Sequence, residues 1–173
     1  MNIKLTSLLL ETSIDHTLAL ARQMVESQGS ATPMLYLQTS AQEVKGIPLE
    51  LPDSWAEKCG FFVSIGHTLH EDLSKHNQWL TEALLVVECW YVDGQKAPDI
   101  HAVPPSQHPC REEAIIAVAV NAKRTLKSLA VQPFTRDEHR QLVWSEVKCA
   151  AYNTSTIEEP MWEGLLDLIF HPA

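Results

Sequence analysis

The sequence predicts a single α+β domain over residues 1–173, with an antiparallel sheet of about six strands and helices packed mainly on one face. Two apolar runs, ALLVVECWYV from residue 83 and AIIAVAV from residue 114, have the β-branched and aromatic content of strands. Two other stretches, near residues 12–28 and 53–77, repeat apolar residues at helical spacing. We therefore expect the element order α-β-β-α-β-β-β-β-α.

The first helix is predicted from Thr12 or Ser13 to residue 28. Its apolar side chains recur at steps of three or four residues behind a hydroxyl cap, and Gly29 follows as a natural stop. The runs MLYLQT and GIPLEL then predict a hairpin across the polar segment SAQEVK. Because Pro48 cannot donate a backbone hydrogen bond, its strand is expected at a sheet edge, and the whole hairpin at an exposed margin.

The second helix begins after the segment PDS at residues 52–54, and its apolar stripe steps by four through Phe61, Ile65, Leu69 and Leu73. Gly60 and Gly66 weaken this helix without ending it, each by about 1 kcal/mol relative to alanine if exposed. We expect the first and second helices to pack on the same face of the sheet.

Four further strands, near residues 83–92, 114–120, 126–134 and 141–147, are separated by turn-forming segments and predict an antiparallel meander. In the first of them, alternation places four side chains on one face: Leu84, Val86, Glu88 and Trp90. Residues 149–173 are predicted to be a C-terminal extension that ends in a short helix, MWEGLLDLIF. That helix is apolar enough to pack on the core or on a second subunit.

The composition is that of an ordinary globular chain, with 45% hydrophobic and 20% charged residues. A net charge of −9 repels phosphate backbones and anionic membranes, so neither nucleic acid nor membrane is an expected partner. Four widely spaced cysteines without a CxxC pair suit reduced thiols in a cytoplasmic protein. Because no glycine-rich phosphate loop, nucleophile elbow or Rossmann fingerprint is present, no cofactor is expected.

His67 and His70 on the second helix form a candidate metal site, because their spacing puts both imidazoles on one surface beside Glu71 and Asp72. The HExxH order is missing, and no third ligand stands at a set spacing. The ordinary interpretation is a solvated polar face opposite the apolar stripe, so no metal site is predicted.

The connection between the two central strands, residues 93–113, is a second candidate because long ordered loops often carry function. Its candidate site residues are Asp99, His101, His108, Cys110, Arg111, Glu112 and Glu113. Two histidines and a cysteine suit a metal, or a nucleophile with its base. The alternative is structural, since four prolines in this connection stiffen the chain and can route it over the sheet edge.

A third candidate is a polar set within the strands, made up of Glu88, Gln132, Arg136, Trp144 and Glu146, with Arg111 beside it. Glu88 needs a partner if it is buried, and Arg111 or Arg136 is suited to that role. One interpretation is a structural ion pair covered by tryptophan, and the other is a shallow pocket for a small polar ligand, walled by Trp90 and Trp144. The predicted ligand-binding residues are Glu88, Trp90, His108, Cys110, Arg111, Arg136 and Trp144.

Several motifs occur in a telling order: a helix followed by a PML-type strand, the strand ending VECWYV, the segment PSQHPCREE, and QPFTR followed by WSE. In this order the chain resembles a group of small uncharacterised bacterial proteins of unknown function, over roughly residues 12–147. The resemblance implies a compact α+β domain and carries over no catalytic residue. The predicted residues that lie within its motifs are Glu88, Trp90, His108, Arg111, Arg136 and Trp144.

Two functions from different classes remain open on this sequence. The first is a non-enzymatic cytosolic binding or interaction protein that self-associates, as a homodimer or higher homo-oligomer, through an open sheet face or edge and the apolar C-terminal helix. The second is a ligand-binding or hydrolytic domain with its site between the 93–113 loop and the adjoining sheet face. In that case Glu88, His108 and Arg111 form the site, with Cys110 as the candidate nucleophile.

Overall fold

The computed structural model describes residues 12–93, 103–123, 127–152 and 161–172. Within these ranges the chain forms three α-helices, seven strands and one short 3-10 turn. The helices are α1 (Thr12–Gln28), α2 (Trp55–Lys75) and α3 (Met161–Phe170). The strands are β1 (Met34–Thr39), β2 (Val44–Pro48), β3 (Leu80–Tyr91), β4 (Glu112–Asn121), β5 (Lys127–Arg136), β6 (Leu142–Trp144) and β7 (Lys148–Tyr152).

All seven strands belong to one antiparallel sheet in the order β2-β1-β3-β4-β5-β6, and β7 pairs with β5 beside β6. The predicted meander (β3 to β6) and the predicted hairpin (β1 with β2) are both present, which confirms the α+β class. β2 lies at an edge, as Pro48 suggested. β1 does not lie at the margin, because it sits between β2 and β3 with Leu35 and Leu37 buried.

The strand predicted at residues 141–147 ends at Trp144, where it lies beside a proline of the neighbouring strand β5. Ser145 donates its N–H to the carbonyl oxygen of Pro133 over 2.9 Å. Proline has no N–H with which to return the second hydrogen bond of such a pair. The chain leaves β5 at this point and rejoins it as β7, so the predicted C-terminal extension begins with an additional strand.

Helices cover both faces of the sheet. α1 packs against side chains that include Leu84 and Val86, whereas α2 and α3 pack against Leu85 and Val87 on the opposite face. The predicted alternation along β3 is therefore correct, and two of the three helices share a face. The expectation that α1 and α2 lie together is wrong, because helical periodicity reveals the apolar side of a helix but not the sheet face that it meets.

α2 begins with a capping box, in which Ser54 and Glu57 exchange hydrogen bonds, and it packs closely against α3. The closest approach is at Gly66, where an added Cβ would lie 2.8 Å from the carbonyl oxygen of Ile169. One turn later, His70 Nε2 donates to the same carbonyl over 3.1 Å. The missing side chain of Gly66 thus allows the two helix backbones to approach, and His70 satisfies a carbonyl that the end of α3 leaves open.

This packing buries the apolar side chains of α3. Leu165, Leu166 and Ile169 are each 0% exposed and belong to the core beneath α2. Of the two sequence-based possibilities for this helix, packing on its own core is the one that occurs. No helix in the described part of the chain has the length and apolar character that crossing a bilayer requires.

Candidate functional site

The turn between α1 and β1 is held against the sheet by two hydrogen bonds, one to a side chain of β3 and one to a side chain of β5. Gly29 ends α1 with a φ of 86°, in the left-handed region that glycine adopts without strain. Two residues later, the N–H of Ala31 donates to Glu88 Oε2 over 2.8 Å. The nearby Arg136 Nη2 donates to the carbonyl oxygen of Gly29 over 2.9 Å. The sheet thus positions the turn through one carboxylate and one guanidinium.

The ion pair at this end of the sheet joins Arg136 to Glu113, with Nε 3.1 Å from Oε2. The expected pairing of Glu88 with Arg111 or Arg136 is absent, since the contact found for the Glu88 carboxylate is the backbone N–H of Ala31. Sequence reasoning identified Glu88 as a carboxylate that needs a partner, but it missed the turn residue. The segment QGSATP marked a break in structure without revealing that its backbone would face Glu88.

A cleft of about 360 Å³ lies between this turn and the adjoining ends of β3 and β4, and we refer to it as the Trp90 cleft. Its lining residues are Ser30, Ala31, Glu88, Cys89, Trp90 and Glu113. Trp90 is 44% exposed, and the guanidinium of Arg111 lies 4.8 Å from the centre of its ring. Four predicted residues, Glu88, Trp90, Arg111 and Arg136, are therefore brought together in or beside the cleft.

Trp144 lies outside the Trp90 cleft, which corrects the pocket predicted between two tryptophans. Strand register sets Trp90 opposite Glu113, Glu113 opposite Phe134, and Phe134 opposite Trp144. Three strand spacings therefore separate the Cα positions of the two tryptophans, or about 14 Å. Trp144 instead packs on Phe134, with ring centres 4.8 Å apart, and lies beneath the guanidinium of Arg22 from α1.

His108 and Cys110 form a local turn before β4. His108 is only 1% exposed, and its Nδ1 accepts a hydrogen bond from the backbone N–H of Cys110 over 3.0 Å. The Cys110 side chain is exposed. Asp99 and His101, the other predicted members of this loop, lie outside the described residues. The described contacts of His108 thus support the loop backbone, and neither residue lines the Trp90 cleft.

The remaining sequence candidates are dispersed. His70 contacts the end of α3 through its Nε2 and the carbonyl oxygen of Ile169. Among the described residues, no group of three or more histidine, cysteine or acidic side chains is arranged to hold a metal ion. Gln132 is buried within the sheet, and Glu146 is exposed beyond β6.

Cys89 lines the cleft, but its strand alternation places the side chain in the core on the opposite face of the sheet. Burial, together with the charge of the neighbouring Glu88 carboxylate, raises the pKa of this thiol to about 12. The thiol is therefore neutral at physiological pH, and only the thiolate is a strong nucleophile. The cleft groups suited to contact a ligand include the Glu88 carboxylate and the exposed indole of Trp90.

Comparison with known proteins adds no relative: no family model matches the chain, and neither a curated protein nor a solved structure matches it at a significant level. The resemblance to a group of small bacterial proteins stays a prediction.

Proposed function

We propose that this chain is a non-enzymatic binding protein and that the Trp90 cleft is its ligand site. The observation that carries the proposal is an open cleft of about 360 Å³ with an exposed indole at its rim and a positioned carboxylate in its wall. Cavities of this size that combine an aromatic surface with a few polar groups are typical of small-molecule sites. We also propose a cytosolic location, in keeping with free thiols at Cys59 and Cys110.

Binding is favoured over hydrolysis because a ring nitrogen of His108, the candidate base, already accepts a backbone hydrogen bond. His108 Nδ1 accepts a backbone N–H of the neighbouring Cys110, so this ring nitrogen serves the loop instead of a thiol. If Cys110 were nevertheless a nucleophile, Cys110→Ser would abolish ester hydrolysis by the purified protein. Under the binding proposal, any residual hydrolysis is unchanged by that substitution.

The ligand-site proposal is tested by screening small polar compounds by NMR against the isotope-labelled protein. Compounds that bind should shift the amide signals of Ser30, Ala31 and Glu88 and the indole signal of Trp90. Trp90→Ala should weaken binding at least five-fold, if the indole contributes about 1 kcal/mol.

Trp79→Ala provides the matched control for that screen. Trp79 is 61% exposed and precedes the opposite end of β3, so its removal should leave binding unchanged. Hits that shift signals elsewhere, or that bind Trp90→Ala as well as the wild type, would refute the assignment of the site.

As a second function, we propose self-association along the free edge of β6. The support is a difference between the two free edges of the sheet. The β2 edge carries an exposed Lys45 and Pro48, which are residues that discourage strand pairing. β6 itself contains neither residue type, and its Val143 is 54% exposed, while Val147, which is 41% exposed, lies between β6 and β7. An antiparallel strand from a second copy would cover this edge symmetrically.

Light scattering on the purified protein tests this proposal directly. The wild type is expected to be a dimer, and Val143→Lys should make it a monomer by placing a charge on the pairing edge. Val103→Lys is the control, because Val103 is also exposed but lies in the loop before β4. A monomeric wild type across the micromolar range would end the self-association proposal.

A further inference from the structure

Of the two carboxylates that line the Trp90 cleft, only one forms an ion pair. Glu113 in the cleft wall is paired with Arg136. Glu88 is not part of any ion pair among the described residues, since its carboxylate contacts a neutral backbone N–H. The whole chain adds a net charge of −9. A carboxylate without an ion-pair partner, in a concave site of an acidic protein, is suited to attract a cation.

The indole at the rim already has a cation on it. Arg111 places its guanidinium 4.8 Å from the ring centre of Trp90, within the range of a cation–π contact. Arg111 is itself exposed, and this stacking is the only contact described for its side chain, so a cation from solution can replace the guanidinium. The Arg111–Trp90 pair therefore shows that the exposed face of this indole accepts a guanidinium cation.

The spacing of Glu88 and Trp90 suits a single cationic head group. The two residues are separated by one position in β3 and project from the same face, so their Cα atoms are about 7 Å apart. A head group between them contacts the carboxylate on one side and the indole on the other. The remaining volume of the cleft admits a short alkyl stem.

We propose that the Trp90 cleft binds a small organic cation with an alkylammonium or alkylguanidinium head group, and that Arg111 competes with this ligand for the face of Trp90. This inference rests on the proposed function, because it names the ligand class of the same site. It makes Arg111 an internal competitor whose removal improves binding. An anionic ligand would instead depend on Arg111, and the two cases predict opposite signs.

The test uses four compounds of equal chain length: butylammonium, butylguanidinium, 1-butanol and butyrate. Each is titrated into the labelled wild-type protein while the indole N–H signal of Trp90 is followed by NMR. The two cations should shift this signal saturably, and their affinity should fall as salt is raised. 1-Butanol and butyrate should leave it unchanged.

Two variants examine the assigned contacts. Glu88→Gln keeps an acceptor for the Ala31 N–H but removes the charge, and it should weaken both cations about five-fold. Arg111→Ala should tighten them by about two- to five-fold, the equivalent of an exposed cation–π contact. Glu43→Gln, at an exposed position before β2, is the charge-matched control and should have no effect.

The outcomes separate this inference from the proposed function. If butyrate or 1-butanol shifts the Trp90 signal and the cations do not, the cleft is a binding site for another ligand class and the cation inference is refuted. If Arg111→Ala weakens the cations, the competition is refuted. If none of the four compounds shifts the signal, the cation inference fails, and the wider compound screen alone decides the proposed function.

Discussion

Replacing Gly66 by alanine tests the packing that holds α3 in place. Gly66 is buried in α2, and a Cβ at this position would lie 2.8 Å from the carbonyl oxygen of Ile169 and 2.9 Å from that of Leu168. Both are backbone atoms, so no side-chain rotation relieves the contact. Ordinary van der Waals contact begins at 3.4 Å, and α3 therefore has to retreat by about 0.6 Å or detach.

Two opposing contributions determine the size of the effect. Overpacking of this kind costs about 1–3 kcal/mol, and the better helix propensity of alanine returns up to about 1 kcal/mol. Gly60→Ala in the same helix is the matched control, because an added Cβ there has no atom within 4 Å. Gly60→Ala should therefore stabilise the protein. The two variants should differ in free energy of unfolding by about 1–3 kcal/mol, or roughly 2–12 °C in Tm.

Urea denaturation followed by circular dichroism at 222 nm measures this difference. The near-ultraviolet spectrum reports the interface separately, because Trp55 and Trp162 meet edge to face there with ring centres 6.0 Å apart. That signal should change in Gly66→Ala and persist in Gly60→Ala. Equal stability of the two variants, with equal near-ultraviolet spectra, would show that the close approach of α2 and α3 at Gly66 does not exist.

Further predictions concern three single residues. Because burial raises the pKa of Cys89 to about 12, this thiol should resist iodoacetamide at pH 8 while the exposed Cys110 reacts, as read by peptide mass spectrometry. The pKa of Cys89 in the folded state lies above the ordinary value of 9.0, so the unfolded chain loses this proton at a lower pH than the folded protein does. The free energy of unfolding should therefore decline between about pH 9 and 12, and Cys89→Ala should reduce that alkaline loss. Ser54→Ala removes the capping box with Glu57 and should cost about 1 kcal/mol in urea unfolding; no change would contradict the cap. Burial also raises the pKa of Glu82, whose Oε2 is buried without a hydrogen-bond partner. Ionised Glu82 therefore opposes folding, so Glu82→Gln should raise the Tm at pH 7 and raise it less towards pH 4.5, where protonation of the wild-type carboxyl removes the penalty; a lower Tm at pH 7 would contradict this assignment.

Local pattern was sufficient for most of the sheet. Alternation along β3 correctly separated Leu84 and Val86 from Leu85 and Val87, because side chains in a strand necessarily project to opposite faces. The division of β6 from β7 was missed. It depends on Pro133 in β5, and a strand pattern read along 141–147 contains no information about the neighbour that lies beside it.

The candidate site was only partly accessible to the same reasoning. Glu88 and Trp90 were identifiable because a carboxylate within an apolar strand needs a polar partner, and alternation places an indole beside it on the same face. The N–H of Ala31, which meets Glu88 from a distant turn, carries no side-chain signal at all. Glu113 replaced Glu88 as the partner of Arg136 because strand register set Glu113 opposite Phe134, two residues from Arg136.

By itself, then, the sequence determined the class of fold, the order of the meander and the sides of its strands, since these follow from short-range periodicity and turn chemistry. Tertiary structure alone decided that α1 crosses the face opposite α2 and α3, that α3 docks at Gly66, and that Trp90 faces a cleft while Trp144 is covered by α1. These features depend on which distant backbones meet. These contacts depend on packing over the whole chain, so the pattern within any one segment contains little information about them.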